Sequence, residues 1–202
     1  DVLCVECSEI LPLETYAAIN EDEYIRKKSS SGGVFSLLAE WVIGSGGRVF
    51  GARYDSEWMV ITESIDSLED IDAFRRSKYL QSNLKDSYLK CREILKDGRL
   101  VLFCGTPCQI SGLKNYLRRQ YDNLITVDFV CHGVPSPGVW RRYLGELFPR
   151  DSDRVISDIN FRDKKNGREY QFELSRIDSN EKKHGMVILA FDITEQVNAE
   201  KH

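Results

Sequence analysis

The chain has 202 residues, of which 42% are hydrophobic and 30% are charged, a composition typical of a globular domain. Its formal net charge of −4 argues against nucleic-acid binding, which favours a basic stripe. No apolar run approaches the roughly 18 residues that a membrane-spanning helix needs, and the N-terminus lacks the basic and apolar regions of a signal peptide. We therefore expect a cytoplasmic protein with no membrane span and no nucleic-acid partner.

The six cysteines are the most informative residue type. Thiols stay reduced in the cytoplasm, so a cysteine set of this size favours metal, cluster or redox chemistry over structural disulfides. The alternative is that several of them are small buried hydrophobic residues, a common position for free cysteine.

The N-terminal half predicts a mixture of strands and helices. An acidic and apolar stretch containing Cys4-Val5-Glu6-Cys7 comes first. The pattern then predicts a strand at Thr15–Ile19, a helix between Gly33 and Gly44 with apolar residues at helical spacing, and a hairpin of Arg48–Tyr54 with Met59–Ser64.

The following segment alternates helices with buried strands. Helices are predicted at Ser67–Phe74, Leu84–Leu95, Gln109–Gln120 and from Pro135 to Leu147, and buried strands at Leu100–Phe103 and Leu124–Val130. Such alternation indicates an α/β fold with a mostly parallel sheet and flanking helices. In these sheets ligands bind at the carboxyl ends of the strands, where the loops bearing Cys108 and Cys131 fall.

The predicted secondary structure changes from Asp151 onward. Three strands separated by polar turns, at Val155–Asn160, Tyr170–Ile177 and Met186–Asp192, predict a small β-rich C-terminal extension. Its end, Gly185–Glu195, resembles the closing strand of a PAS sensory domain, although the segment is too short for a whole PAS fold. A strand followed by an exposed helix at Thr194–Lys201 is the simpler interpretation.

Four motifs follow one another along the chain: Lys28–Phe35 (KSSSGGVF), Ser77–Ser82 (SKYLQS), Gly105–Gln109 (GTPCQ) and Cys131–Pro137 (CHGVPSP). With the later Asn160–Lys165, their order and spacing resemble the beta-subunit family of coenzyme F420 hydrogenases and dehydrogenases. The resemblance covers roughly residues 12–167. Any one motif alone is weak, but four in register are specific.

The resemblance implies a flavin-dependent electron-transfer oxidoreductase, or a fragment of one. Family members are flavoproteins that pass electrons between FAD and [4Fe-4S] clusters, and some reduce coenzyme F420. The implied partners are a ferredoxin-like module or redox partner subunit, and F420 or another hydride carrier. Residues 1–14 are then the remnant of a ferredoxin-like module or a linker, residues 15–150 the family's α/β core, and residues 151–202 the β-rich extension, PAS-like at its end.

By this resemblance Cys108 and Cys131 are ligands of a [4Fe-4S] cluster. Such a cluster needs four protein thiolates, and no C-x-x-C follows Arg162, so the ligand set is incomplete. Cys4 and Cys7 are possible contributors, or an N-terminal pair without a function here. The backbone amides of the Gly105-Thr106 turn are expected to hydrogen-bond the cluster sulfides. Cys104, at a strand end, and Cys91, on an apolar helix face, are predicted to be non-ligands.

The FAD-binding residues implied by the resemblance fall in two motifs. Ser30, Ser31, Gly32 and Gly33 lie at a predicted helix N-terminus, where backbone amides and the helix dipole favour phosphate. The alternative is an ordinary helix N-cap. The second group is Lys78, Tyr79, Gln81 and Ser82. It is expected to present a cation and hydrogen-bonding groups to the flavin or its substrate. The alternative is a solvated loop.

Two side chains are predicted to be catalytic, His132 and Lys78. A histidine beside a flavin or cluster is suited to proton donation near neutral pH, although such a residue more often only hydrogen-bonds the backbone. The neighbouring pair Arg75-Arg76 is flanked by acidic residues and predicts solvated surface.

Two other functions stay open from the sequence. The PAS-like end and the incomplete ligand set are compatible with a non-catalytic interaction or signalling module whose cluster site is degenerate. The spacing of Cys104 and Cys108 is also compatible with a thiol-redox protein.

Overall fold

The computed structural model describes residues 16–147, Ile156, Ile159 and the strand residues 162–163, 168–178 and 184–192. Five α-helices, one 3₁₀ helix and seven strands lie in these ranges. In chain order they are α1 (Glu23–Lys28), α2 (Val34–Gly44), β1 (Arg48–Tyr54), β2 (Val60–Ile65), the 3₁₀ helix (Leu68–Phe74), α3 (Ser87–Lys96), β3 (Val101–Gly105), α4 (Pro107–Leu117), β4 (Leu124–Asp128), α5 (Pro137–Leu147), β5 (Arg162–Asp163), β6 (Arg168–Asp178) and β7 (His184–Asp192).

A four-stranded, mostly parallel sheet in the order β2-β1-β3-β4 organises the chain. Strands β1 and β2 form an antiparallel hairpin, whereas β1 pairs with β3 in parallel and β3 pairs with β4 in parallel. The last pairs of the β3–β4 register are Cys104 with Val127 and Gly105 with Asp128. The predicted α/β class with a mostly parallel sheet is therefore confirmed.

Helices cover both faces of this sheet, because successive strand side chains point to opposite sides. On one face, Phe50 and Phe103 stack with ring centroids 5.2 Å apart and pack with buried residues of α3 and α4, including Leu95 and Leu113. On the other face, Val49 and Leu102 pack with residues of α2 and the 3₁₀ helix. Two apolar clusters thus pack against the sheet, one on each face.

The structure differs from the predicted elements at the N-terminus. Residues 16–19 are not a strand; the backbone N–H of the following Asn20 instead donates to the Gly32 carbonyl at 2.7 Å. Helix α1 was not predicted, since it buries no residue and so carries no apolar periodicity. Its start is fixed by Asp22, whose side chain accepts hydrogen bonds from the backbone N–H groups of Tyr24 and Ile25.

Smaller differences concern α3 and β4. Helix α3 begins at Ser87 rather than Leu84. Strand β4 ends at Asp128 and is half-buried rather than buried, and the two residues that follow are exposed, Phe129 by 53% and Val130 by 83%. Among the described strands β4 is an edge strand with one neighbour, which explains its partial exposure.

The C-terminal strands form a second sheet in the order β5-β6-β7. Strands β6 and β7 pair antiparallel from Tyr170 with Asp192 to Asp178 with His184, which confirms the strands predicted at Tyr170–Ile177 and Met186–Asp192. The predicted strand Val155–Asn160 lies mostly outside the described residues, and residues 1–14 and the predicted helix Thr194–Lys201 lie wholly outside them. Within the described part of the chain, no helix combines the length and apolarity needed to cross a membrane.

Candidate functional site

Cys108 and Cys131 lie at the carboxyl edge of the parallel strands β3 and β4. Cys108 is in the first turn of α4, which follows β3 directly, and Cys131 comes three residues after β4 ends. Both thiols are exposed. The sheet topology therefore puts both residues at the edge where α/β proteins bind ligands, as the sequence predicted; their role as cluster ligands stays a prediction.

The loop before α4 is built around Gln109. The backbone N–H of Thr106 donates to the Gln109 side-chain carbonyl at 3.0 Å, and a Cβ on Gly105 would lie 2.9 Å from the same oxygen. Only glycine fits at position 105 without moving Gln109. The Thr106 hydroxyl lies 3.1 Å from the Cys108 sulfur, so the predicted Gly105, Thr106 and Cys108 form one compact turn.

Hydrogen bonds connect this turn to the predicted flavin motif. The Gln109 amide donates to the Ser82 hydroxyl at 2.7 Å, and that hydroxyl lies 3.0 Å from the hydroxyl of Thr62 on β2. The backbone N–H of Gln81 donates to the carbonyl of Pro135, in the loop that carries Cys131, at 3.2 Å. The Ser77–Ser82 segment therefore contacts both cysteine-bearing loops.

A cleft of about 420 Å³ opens beside this segment. Its volume is within the range of small-molecule sites. Four of its residues are cationic, one is acidic and two are aromatic. The described residues that line it are Lys28, Tyr54, Trp58, Asp72, Ala73, Arg75, Arg76, Ser77, Lys78 and Ile159.

Lys78 is the predicted site residue that the cleft contains. Its ammonium donates to the backbone carbonyls of Arg75 at 2.6 Å and Arg76 at 3.4 Å. Burial, aided by the neighbouring Arg76 charge, lowers the pKa of Lys78 to about 8. Near neutral pH this side chain is therefore a poorly solvated cation, which is suited to hold an anionic group and to lose its proton within a mildly alkaline range.

Asp72 organises two of the other cations. Its carboxylate accepts from Lys28 on α1 and from Arg75, and the Lys28 bond is the largest of the causes that hold the pKa of Asp72 below its usual value. Arg75 also donates to the buried Ser36 hydroxyl of α2 at 3.0 Å. These contacts join α1, α2 and the 3₁₀ helix around one end of the cleft.

The prediction that Arg75 and Arg76 are solvated surface was wrong in part. The Arg75 side chain is only 8% exposed, and both residues line the cleft. Arg76 itself is exposed. Their position directly before Ser77-Lys78 was the available sequence signal. The flanking acidic residues concealed it, because Asp72 pairs with Lys28 and Arg75 while its own side chain stays half exposed.

The serine and glycine motif lies next to the cleft rather than in its lining. The Ser30 hydroxyl accepts from the backbone N–H of Ser77 at 2.7 Å and lies 3.1 Å from the Ser77 hydroxyl, so the two predicted FAD motifs meet here. Ser31 is exposed. Gly33 precedes α2 with φ of +76°, a conformation that favours glycine.

Gly32 has a structural reason of its own. A Cβ at this position would lie 3.0 Å from the Ala18 carbonyl oxygen, so close packing against the preceding chain favours glycine there. A buried amide nitrogen without a hydrogen-bond partner, Asn20 Nδ2, belongs to the same turn. The turn opens α2 as predicted, and its role in phosphate binding stays a prediction.

Three other predicted residues lie elsewhere. Tyr79 is half-buried and Gln81 is exposed, and neither lines the cleft. His132 is exposed beside Cys131, at the cysteine edge. The sequence missed Tyr54 and Trp58, which reach the cleft from the end of β1 and the turn that joins β1 to β2. No motif marks them, because their part in the cleft depends on segments that are distant in the chain.

A [4Fe-4S] cluster does not fit the described residues alone. It needs four thiolates, and the described part of the chain contains no group of three or more His, Cys, Asp or Glu side chains arranged to hold a metal ion. Cys91 is buried in the core, where burial raises the pKa of its thiol to about 12. Burial likewise raises the pKa of Cys104 to about 11, with a smaller contribution from Asp128. Cys4 and Cys7 lie outside the described residues.

The cleft does fit an anionic ligand with a planar ring, such as a flavin nucleotide. The cavity is lined by the cations Lys28, Arg76 and Lys78 and by the carboxylate of Asp72. The excess of positive charge among these side chains favours phosphate. The aromatic rings of Tyr54 and Trp58 line the same cavity and offer a surface for ring stacking.

Comparisons with a family model and with solved structures found matches to this chain. Residues 98–189 match the family model that describes the C-terminal part of the beta subunit of coenzyme F420 hydrogenase/dehydrogenase. The match ends within β7, so residues 185–189 of the segment predicted as PAS-like, Gly185–Glu195, lie inside it. No curated protein gives a significant match to the sequence.

Among solved structures, the chain is similar to one from the F420-reducing [NiFe] hydrogenase complex of Methanosarcina barkeri, determined after xenon derivatization. The TM-score is 0.53 at 16% identity, over 88% of this chain and 60% of the other. The likeness thus shows a common fold, and this chain spans 60% of that protein's length. Residues 98–189, just under half of the chain, thus match the family model for the coenzyme F420 hydrogenase/dehydrogenase beta subunit, and the solved structure shares the fold.

Proposed function

We propose that this chain is part of a cytoplasmic flavin-dependent electron-transfer oxidoreductase that binds FAD and works with an iron–sulfur cluster. The observation that carries the proposal is the meeting of two distant motifs beside one cationic cleft. Ser30 and Ser77 are joined by hydrogen bonds at 2.7 and 3.1 Å, and Ser77 and Lys78 line the cleft. Both motifs were predicted to bind FAD.

The cleft residues have a clear role in this proposal. Lys28, Arg76 and Lys78 hold the negative charge of the FAD phosphates, and Asp72 keeps Lys28 and Arg75 in place. The Ser30 and Ser77 hydroxyls are close enough to the cleft to add hydrogen bonds. A bound flavin supplies exchange between two-electron and one-electron carriers. Burial of the Lys78 ammonium keeps water from screening its charge.

The cysteine edge is the proposed position of the cluster. Cys108 and Cys131 would supply two thiolates, so two more must come from outside the described residues, either Cys4 and Cys7 or a partner subunit. Thr106, 3.1 Å from the Cys108 sulfur, would hydrogen-bond that thiolate. We assign His132, exposed next to Cys131, the role of a surface proton carrier.

The proposed partners follow from the family. The similar structure belongs to a hydrogenase complex, and we propose a redox partner subunit or a ferredoxin-like module for this chain too. Coenzyme F420, or another hydride carrier, is the proposed second substrate. The exposed cysteine edge, which also carries Phe129 and Val130, is the surface on which such a partner would complete the cluster.

The test is FAD binding by the purified chain. After incubation with FAD and gel filtration, the protein should retain flavin absorbance in a ratio near one per chain. Lys78→Met should lose most of it, because a buried cation that pairs with phosphate contributes about 1.5–3 kcal/mol, or roughly ten- to hundredfold in affinity. Lys114→Met, on the exposed face of α4, is the matched control and should retain FAD.

Two results would contradict the proposal. A chain that stays colourless after anaerobic reconstitution with FAD does not have the proposed site. If the Lys78→Met and Lys114→Met variants bind FAD equally well, FAD binds somewhere other than the cleft.

A further inference from the structure

We propose that Trp58 is the residue against which the planar ring of the bound flavin stacks, an inference that rests on the proposed FAD site. Trp58 is half-buried, lines the cleft and lies 5.7 Å from Tyr54 between ring centroids, with a tilt of 57°. Aromatic rings in this arrangement offer a face and an edge to a third ring. The cations of the same cleft then receive the phosphates.

The backbone at Trp58 is strained. Its φ is +58°, in the left-handed region that a bulky aromatic residue adopts only at an energetic cost. Four described residues other than glycine have a positive φ, and two of them, Trp58 and Arg76, line the cleft. Strain of this kind concentrates at ligand-binding positions, where the side chain gives an advantage that offsets it.

The surrounding hairpin fixes this strained residue. The backbone N–H of Trp58 donates to the Asp55 carbonyl at 3.1 Å, and the Asp55 carboxylate accepts from the backbone N–H groups of Glu57 and Met59, both at 2.9 Å. The Trp58 carbonyl accepts from the indole N–H of Trp140 on α5 at 2.7 Å. The ring is thus held from a rigid turn, as a stacking surface requires.

The Trp58 ring has no comparable role in the core. The neighbouring apolar cluster is formed by Val60, Leu80 and Trp140, with Ala52, Tyr54, Met59, Leu144 and Ile159 packed against it. Trp58 is not a member of this cluster. A strained, half-buried tryptophan beside the cluster and inside a cationic cleft is better explained by a ligand than by packing.

Trp58→Gly is the decisive variant, because glycine adopts the backbone conformation of position 58 without strain. It keeps the carbonyl that accepts from Trp140 and removes only the ring. We expect an unchanged or higher melting temperature, and FAD binding weakened roughly two- to tenfold, the contribution of one aromatic pair. The emission of bound FAD should rise, since a stacked indole quenches flavin fluorescence by electron donation. Trp58→Tyr should restore binding and quenching.

Trp41→Ala is the matched control, because Trp41 is 56% exposed on α2 and does not line the cleft. Its affinity and bound-FAD emission should equal those of the unmodified chain. If FAD binds but Trp58→Gly matches the control in both readouts, the stacking role is wrong while the proposed function stands. If Trp58→Gly lowers the melting temperature and leaves FAD emission unchanged, Trp58 is structural. If neither the unmodified chain nor any of its variants binds FAD, both proposals are wrong.

Discussion

Lys78 is the described cleft cation whose charge changes in an accessible pH range. Its pKa is lowered to about 8, whereas the bond to Asp72 raises the pKa of Lys28 above 10.5 and the bond to Lys28 holds the pKa of Asp72 below 3.8. Arg75 and Arg76 carry guanidinium groups that stay charged. Between pH 7 and 9.5, among the described charged residues of the cleft, deprotonation of Lys78 is therefore the expected event.

This property predicts how FAD binding depends on pH. Because the ammonium of Lys78 attracts phosphate and the neutral amine does not, the dissociation constant should increase as the pH rises through about 8. Lys78→Arg should remove this dependence up to about pH 9.5, since arginine keeps its charge. The measurement is a series of FAD titrations at constant ionic strength, which keeps screening equal. An unmodified chain with pH-independent binding would show that Lys78 does not contact the anion.

At the scale of elements, helix α4 connects the cysteine edge to the Ser77–Ser82 segment, which runs beside the cleft. Its first turn contains Cys108, and Gln109 in the same turn bonds both the Thr106 backbone and the Ser82 hydroxyl. The Tyr88 hydroxyl of α3 donates to the backbone carbonyl of Gln109 at 2.7 Å. One glutamine thus fixes the distance between the two loops that the proposed function uses.

Removal of that glutamine side chain should be costly. Gln109→Ala loses two hydrogen bonds, each contributing about 0.5–1.5 kcal/mol, so we expect the free energy of unfolding to fall by about 1–3 kcal/mol in urea titrations. Asn115→Ala, an exposed position on the same helix, should change it by less than about 0.5 kcal/mol. Equal losses at the two positions would mean that the Gln109 bonds do not stabilise the fold.

At the scale of the whole molecule, the sheet sorts the described cysteines into two classes. Cys91 is fully buried and Cys104 is half-buried at the end of β3, and the pKa values of their thiols are raised to about 12 and about 11, mainly by burial. Cys108 and Cys131 are exposed beyond the carboxyl ends of β3 and β4. Chain topology therefore leaves two thiols open to a cluster, an oxidant or a partner.

This division predicts two reactive thiols in a Cys4→Ser, Cys7→Ser variant of the chain. Because the thiolate is the reacting species, Cys108 and Cys131 should react rapidly with an aromatic disulfide reagent in native buffer, and Cys91 and Cys104 only after unfolding. Counting the thiols released before and after addition of guanidinium measures this. Rapid reaction of Cys104 would favour the thiol-redox function with Cys108; its protection disfavours that function.

The sequence by itself determined the order of the elements around the sheet and the position of the cysteine loops. Buried strands such as β3 are short apolar runs followed by glycine or cysteine loops, and the amphipathic pattern of α3 and α4 marks the faces that cover them. Local patterns of this kind need no knowledge of distant contacts. Helix α1 and the true end of β4 carried no such pattern, so they were missed or misplaced.

Only the tertiary structure decided which residues form the cleft. The cleft is lined by residues from four separate parts of the chain, among them Lys28, Trp58, Lys78 and Ile159. Tertiary packing brings these parts together around one cavity. The inward position of Arg75 and the left-handed backbone of Trp58 likewise depend on long-range contacts that override local preference. Motifs identified the chemistry of the chain, but the packing of distant segments determined where that chemistry can occur.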